Sequence, residues 1–325
     1  MARPVQTPAG ILGIEPAGAY HRLLLRAPGV AEAVRPGHFA TLAIGGRDSA
    51  TPLRRAFSIH RADPAADTIE LIFAEHGRGT RALARHRPGD TVDLVAPLGT
   101  PFPLADTPET AVLVAGGYGS APMFSLAEAI LARGGRVGLV LGAATADRLF
   151  GVAAARALTP HVAVVTDDGS YGARGRVTDP LAAMIRAVGA TVVHSCGPMP
   201  MLRAVTEVAV AEGARSHTAV EEAMACGFGV CMTCVLPVAG PDGATRLVRS
   251  CTEGPVFDGT TVRWPEPGGP EPGGTGPGPD SVSGSAPRTT PGSPSAPPVT
   301  SLSSASSASS VPSAPSGEPR EGARS

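Results

Sequence analysis

Short runs of alternating or continuous apolar residues, punctuated by turn residues, dominate the first hundred positions. Tyr20–Arg26, His38–Ile44, Phe57–His60, Thr68–Phe73 and Thr91–Val95 each read as a strand, separated by Pro/Gly/Asp turns such as Arg87-Pro-Gly-Asp90. This pattern predicts a small antiparallel β-barrel over residues 1–105. From Glu109 the period changes. Apolar strands at Ala111–Ala115, Arg136–Leu141, Val162–Val165 and Thr191–Val193 alternate with helical stretches, the first of them Ala121–Arg133. Such alternation predicts a parallel α/β sheet over residues 106–215. A short third segment, 216–264, follows. Glu221 to Trp264 is only 44 residues, too few for a stable core without a staple. Residues 265–325 are mostly Pro, Gly, Ser, Ala and Thr without an aromatic residue, a composition that cannot offset its ordering entropy and predicts a disordered tail.

Composition narrows the class. A chain of 325 residues with 42% hydrophobic content supports two or three domains with sizeable cores. Its net charge of −1 argues against nucleic-acid and membrane-surface partners. The first ten residues hold no continuous apolar stretch and no apolar run approaches the ~20 residues of a membrane span, so a cytoplasmic location is expected. The chain contains no lysine. Any side-chain cation that meets a phosphate is therefore an arginine or a protonated histidine.

Four of the five cysteines cluster. Cys226, Cys231 and Cys234 follow the spacing C-x4-C-x2-C, and 16 residues separate Cys234 from Cys251. The first three match the ligand spacing of plant-type [2Fe–2S] clusters, and Gly227 and Gly229 allow the backbone to wrap tightly around a compact inorganic core. Four-cysteine zinc is the alternative, but zinc prefers paired C-x2-C motifs, and only Cys231 and Cys234 fit one. Either metal would couple binding to folding of residues 216–264.

Five further motifs are candidates for binding anionic ligands. Arg55-Ala56-Phe57-Ser58 occupies a barrel strand, and Gly77-Arg78-Gly79-Thr80 follows the strand residues Ile72-Phe73-Ala74 and opens a helix. By themselves these are also compatible with an edge-strand arginine and a core phenylalanine. Ala115-Gly116-Gly117-Tyr118-Gly119-Ser120-Ala121-Pro122 lies between a strand and a helix, as a nucleotide-binding turn requires, though a plain βα turn has the same form. Thr166-Asp167-Asp168-Gly169-Ser170-Tyr171-Gly172 and Ser195-Cys196-Gly197-Pro198-Met199-Pro200-Met201 end later strands, at the carboxyl side where open α/β sheets bind ligands. Cys196 is also compatible with a small buried packing residue.

Taken in order, these motifs resemble those of the ferredoxin reductase-like family, and over about residues 10–264 the electron-transfer subunits of type B NAD-dependent dihydroorotate dehydrogenase. The resemblance implies FAD held by Arg55, Ala56, Phe57, Ser58, Ile72, Phe73, Ala74, Gly79 and Thr80. It implies NAD held by Gly116, Gly117, Gly119, Asp168, Cys196, Gly197 and Pro198, with Cys196 beside the nicotinamide in a catalytic position. It assigns the [2Fe–2S] cluster to Cys226, Cys231, Cys234 and Cys251. An FMN-containing dihydroorotate dehydrogenase catalytic subunit is the implied partner, two of each chain forming a heterotetramer. Electrons would pass from it through the cluster and FAD to NAD+, in pyrimidine biosynthesis. Tyr118 and Ala144 depart from the family pattern, which has an aliphatic residue and often an arginine there.

Other readings share parts of this pattern. A flavin and iron–sulfur NAD(P)H:ferredoxin-type oxidoreductase has the same architecture. An oxygenase reductase would need a longer ferredoxin domain than residues 216–264. A zinc-stapled FAD-binding module would be colourless apart from its flavin. His60, His76, His86, His161, His194 and His217 are scattered and read as surface or packing residues, with no nucleophile and base constellation among them.

Overall fold

Alternation along β1 (Val5–Ala17), β2 (Tyr20–Arg26), β3 (Phe39–Ala43), β4 (Arg55–Asp63), β5 (Thr68–Phe73) and β6 (Thr91–Leu98) closes them into an antiparallel barrel of order β1-β2-β5-β4-β3-β6. The structure is a computed structural model, describing residues 3–45 and 52–264; the predicted tail 265–325 lies outside the described residues. Leu23, Leu25, Leu42, Ile59, Ile69, Leu71 and Leu94 fill the barrel interior, and closure leaves no unpaired edge. β1 had no strand signature, because Pro8, Gly10, Gly13 and Pro16 interrupt it. It forms because β2 and β6 flank it on both sides, with a bulge between Ile11 and Gly13.

The short helix α1 (Arg78–Leu83) follows β5. Beyond the barrel come β7 (Thr110–Gly116), α2 (Ala121–Ala132), β8 (Arg136–Ala143), α3 (Val152–Leu158), β9 (Val162–Thr166), β10 (Ala173–Arg174), α4 (Thr178–Val188), β11 (Val192–Cys196), α5 (Met199–Ala211) and β12 (Arg215–Ala219). The sheet order is β10-β9-β8-β7-β11-β12-β15, parallel except for the final strand β15 (Val256–Asp258), which runs antiparallel to β12. The sheet therefore crosses the boundary expected at residue 215 and takes in both ends of the cysteine segment. Between them lies a hairpin, β13 (Val235–Ala239) and β14 (Thr245–Arg249).

The cysteine segment has no core of its own. Leu236, Val238 and Val262 pack with Leu202 of α5 and with Val220, while Cys234 and Cys251 pack against Phe39, Val95 and Leu98 of the barrel. Each neighbour supplies apolar surface that a segment of this size lacks.

The barrel and the sheet meet along β4, β5 and α2. The His60 ring nitrogen Nδ1 lies 2.6 Å from the Ala121 carbonyl oxygen, Arg61 pairs with Glu128 at 2.7 Å, and Ile72 packs on Tyr20 and Ala121. This contact explains why all six residues of β5 are buried, where one exposed face would be expected of a barrel strand. His194 and His217 stack across β11 and β12 at 5.5 Å and serve packing. Burial pushes the His194 pKa down to about 3, so the ring stays neutral. No helix among the described residues is long and apolar enough to cross a membrane.

Candidate functional site

The barrel carries a cleft of about 340 Å³ on the side facing the sheet. Arg55, Ala56, Phe57 and Ser58 of β4 form one wall and Ile72, Phe73, Ala74 and Thr80 another, so eight of the nine residues assigned to FAD line it. Gly79 completes the set from beneath Arg55. A Cβ on Gly79 would stand 2.7 Å from Arg55 Nε, so the absent side chain makes the seat for the guanidinium. Arg55 Nη1 donates to the Leu53 carbonyl at 2.7 Å and the Arg54 carbonyl at 3.2 Å. These bonds orient a planar fork suited to an anionic phosphate. Thr80 Oγ1 accepts the backbone N–H of His76 at 2.8 Å and of Gly77 at 3.1 Å, which closes the turn into α1. Phe57 packs on Phe73 with ring centroids 5.8 Å apart.

Across this cleft stand Tyr118, Gly119, Cys196, Glu221 and Glu222. Burial pushes the Glu222 carboxyl up to about 7 and raises that of Glu221. The Cys196 thiol is raised further, first by burial and then by Glu221. Cys196 is consequently a neutral thiol at physiological pH and not a thiolate nucleophile.

A second cleft, of about 520 Å³, opens at the carboxyl ends of β7, β8 and β9. Gly116, Gly117 and Pro198 line it, as assigned to NAD. Gly119 and Cys196 face the flavin cleft instead. Gly119 has a packing reason too: its Cβ would come within 2.6 Å of the Cys196 carbonyl oxygen. Gly197, at φ +154°, turns the chain after β11 where a side chain would strike Met201. Asp168 lies outside the lining. Its Oδ1 accepts the Ser170 N–H at 2.9 Å and the Ser170 hydroxyl at 2.6 Å, bonds that lower its pKa and shape the exposed turn. The neighbouring Asp167 lines the cleft.

Arg148 and Arg176 also line this cleft and were not anticipated from the sequence. The only available signal was general: without lysine, phosphate contacts fall to arginine, but nothing local distinguishes these two from the other arginines.

The cysteine loop curls through three left-handed residues, Gly227, Gly229 and Met232, at φ +83°, +88° and +59°. A side chain at Gly229 would come within 2.8 Å of Thr252, and one at Gly227 would collide with Thr41 of β3. Cys231 lies close enough to Cys226 to feel it, and Cys251 feels first Cys234 and then Cys226. Cys226 Sγ also accepts the Val230 N–H at 3.4 Å. Three sulfur donors on this loop and a fourth on the turn after β14 are the soft ligand set an iron–sulfur cluster takes, and among the described residues they are not gathered into a preformed metal site.

A closed antiparallel barrel beside a mainly parallel α/β sheet, with a four-cysteine segment appended, has the architecture of a ferredoxin reductase-like oxidoreductase with an iron–sulfur segment. A model of the iron–sulfur cluster binding domain of dihydroorotate dehydrogenase B matches residues 221–263, and one of the oxidoreductase NAD-binding domain matches residues 113–207. The chain is 40% identical over 232 residues to the electron transfer subunit of dihydroorotate dehydrogenase B (NAD(+)) from Bacillus caldolyticus, an alignment covering 70% of this chain and 86% of that protein. Identity to the corresponding subunit of Geobacillus thermodenitrificans is 38% over 240 residues, covering 73% and 90%. Among solved structures, a chain of an NADH-dependent reduced ferredoxin-NADP oxidoreductase superposes with a TM-score of 0.70 at 27% identity, covering 79% of this chain and 90% of that one. The chain belongs to the family of electron-transfer subunits of NAD-dependent dihydroorotate dehydrogenase B.

Proposed function

We propose that this chain binds FAD in the barrel cleft, the NAD dinucleotide in the sheet cleft and one [2Fe–2S] cluster on Cys226, Cys231, Cys234 and Cys251, and that it carries electrons from an FMN-containing catalytic subunit to NAD+. When bound, the cluster supplies single-electron transfer and the flavin the exchange between single electrons and hydride. The observation that carries this reading is a shared wall: Phe39, Ala56 and Met224 line the flavin cleft and also pack around Cys234 and Cys251. Two redox sites that share side chains are close enough for electron transfer without a further carrier.

The chain's own residues have separable tasks. Arg55 holds a pyrophosphate, while Phe57 and Ser58 bound the flavin ring. Arg148 and Arg176 face the phosphates of the dinucleotide, and Cys196 closes the cleft where the nicotinamide meets the flavin, excluding water there. The C-x4-C-x2-C spacing of Cys226, Cys231 and Cys234, with Cys251 as fourth ligand, supports a two-iron cluster. Phe228, Val230 and Met232 are 43%, 74% and 52% exposed beside the thiols, an apolar rim suited to docking the catalytic subunit in a heterotetramer of two of each chain. Cytoplasmic residence accords with free thiols as ligands.

Orotate formation with NAD+ is the test, measured for this chain alone, for the FMN-containing subunit alone, and for the mixture. Coupled turnover is expected only in the mixture. Dihydroorotate oxidation by the isolated chain would overturn the subunit assignment.

A further inference from the structure

The flavin cleft and the dinucleotide cleft are separate cavities with a common wall. Of all the lining residues, only Tyr118 and Glu221 belong to both. Arg148 and Arg176, the cations of the dinucleotide cleft, line that cavity alone, whereas Ser58 and Cys196 line the flavin cleft alone. A dinucleotide held by its phosphates therefore reaches the flavin only across the wall.

Tyr118 is held differently from its neighbours. Tyr20 is fixed: its hydroxyl donates to the Arg148 carbonyl at 2.7 Å, and its ring meets Phe150 edge-on at 6.3 Å. Tyr118 meets Tyr20 edge-on at 5.8 Å but keeps 47% of its surface exposed. Gly117 and Gly119 flank it, so neither neighbour has a side chain to obstruct its rotation. A partly exposed aromatic held by one edge contact exchanges rotamers far faster than catalytic turnover.

On the reading that the sheet cleft holds NAD, we propose that Tyr118 is a gate: its ring, resting against Tyr20, fills the passage between the two clefts, and the nicotinamide must displace it to reach the flavin. The ring then opposes nicotinamide entry and leaves binding of the ADP-ribose portion untouched. The expected size is the affinity equivalent of one aromatic edge contact, about two- to tenfold.

The test uses the full chain with its flavin and cluster in place, and isothermal titration with two probes, NAD+ and ADP-ribose, which lacks the nicotinamide. Tyr118→Ala should bind NAD+ about two- to tenfold more tightly than wild type, with ADP-ribose affinity within about twofold. Tyr118→Phe, which keeps the ring, should restore the wild-type ratio of the two affinities. Tyr118→Ile, which keeps bulk at the turn, is read by the same criterion if Tyr118→Ala loses its flavin. Unchanged or weaker NAD+ binding without the ring overturns the gate, as does a parallel shift for both probes. A wild-type chain that binds neither probe overturns the dinucleotide reading and the gate with it.

Discussion

The guanidinium of Arg55 rests over the bare Cα of Gly79, with Nε 2.7 Å from where a Cβ would stand. Two residues 24 positions apart, on a strand and on the first turn of a helix, thereby form one seat for the guanidinium. Arg55→Ala should weaken flavin retention by about 1.5–3 kcal/mol, the range of a charge-assisted hydrogen bond. Gly79→Ala should weaken it as well, by displacing the guanidinium, and should add nothing in the Arg55→Ala background. Flavin content after dialysis, read from the visible absorbance of all four proteins, checks both statements.

Replacing Cys231 by serine should abolish the paramagnetic signal of the reduced cluster and loosen residues 216–264 more than the rest of the chain. Cys234 and Cys251 are buried against Phe39 and Leu98, so loss of the cluster should also raise amide exchange in β3 and β6. A signal that persists in all four single cysteine variants would remove the ligand assignment.

Cys196→Ala should leave flavin and cluster bound and slow flavin reduction by NADH, because Cys196 lines the barrel cleft proposed for the flavin. Stopped-flow absorbance checks this. An unchanged rate would return Cys196 to a packing role.

Acid should destabilise the barrel through His38. Burial lowers its pKa from 6.5 to about 4, and its Nδ1 accepts the Arg35 N–H at 3.0 Å. The unfolded chain therefore binds the proton first, and stability present above pH 6.5 is lost as pH falls towards 4, by ~3 kcal/mol at 1.36 kcal/mol per unit. Urea unfolding of wild type and His38→Gln between pH 7 and 4 should show the smaller loss in the variant.

Phe228→Asp should lower NAD-linked orotate formation in the mixed enzyme while flavin reduction by NADH in the isolated chain is unaffected. Undiminished coupling would place the docking surface away from the thiol rim.

Local chemistry was legible wherever it depends on neighbours in sequence. The strands Tyr20–Arg26 and Thr68–Phe73 form with the expected limits, the helix predicted from Ala121 begins there, and the cysteine spacing falls within the segment 221–263 that the iron–sulfur domain model matches. Quantities set by distant partners were not legible. β1 is a strand because barrel closure supplies partners on both sides, overriding its prolines and glycines. β5 is buried on both faces because Ile72 meets Tyr20 and Ala121 while Glu70 is covered by Arg22 and His60. Asp167 lines the sheet cleft because its backbone pairs with Ala143 at the end of β8. The approach of Cys251 to Cys234 against the barrel, and the placing of Arg148 and Arg176 in one cleft, likewise require the chain to return from elsewhere. Periodicity and spacing record what a residue does with its next few neighbours; which surfaces then close upon each other is decided by burial across the whole fold.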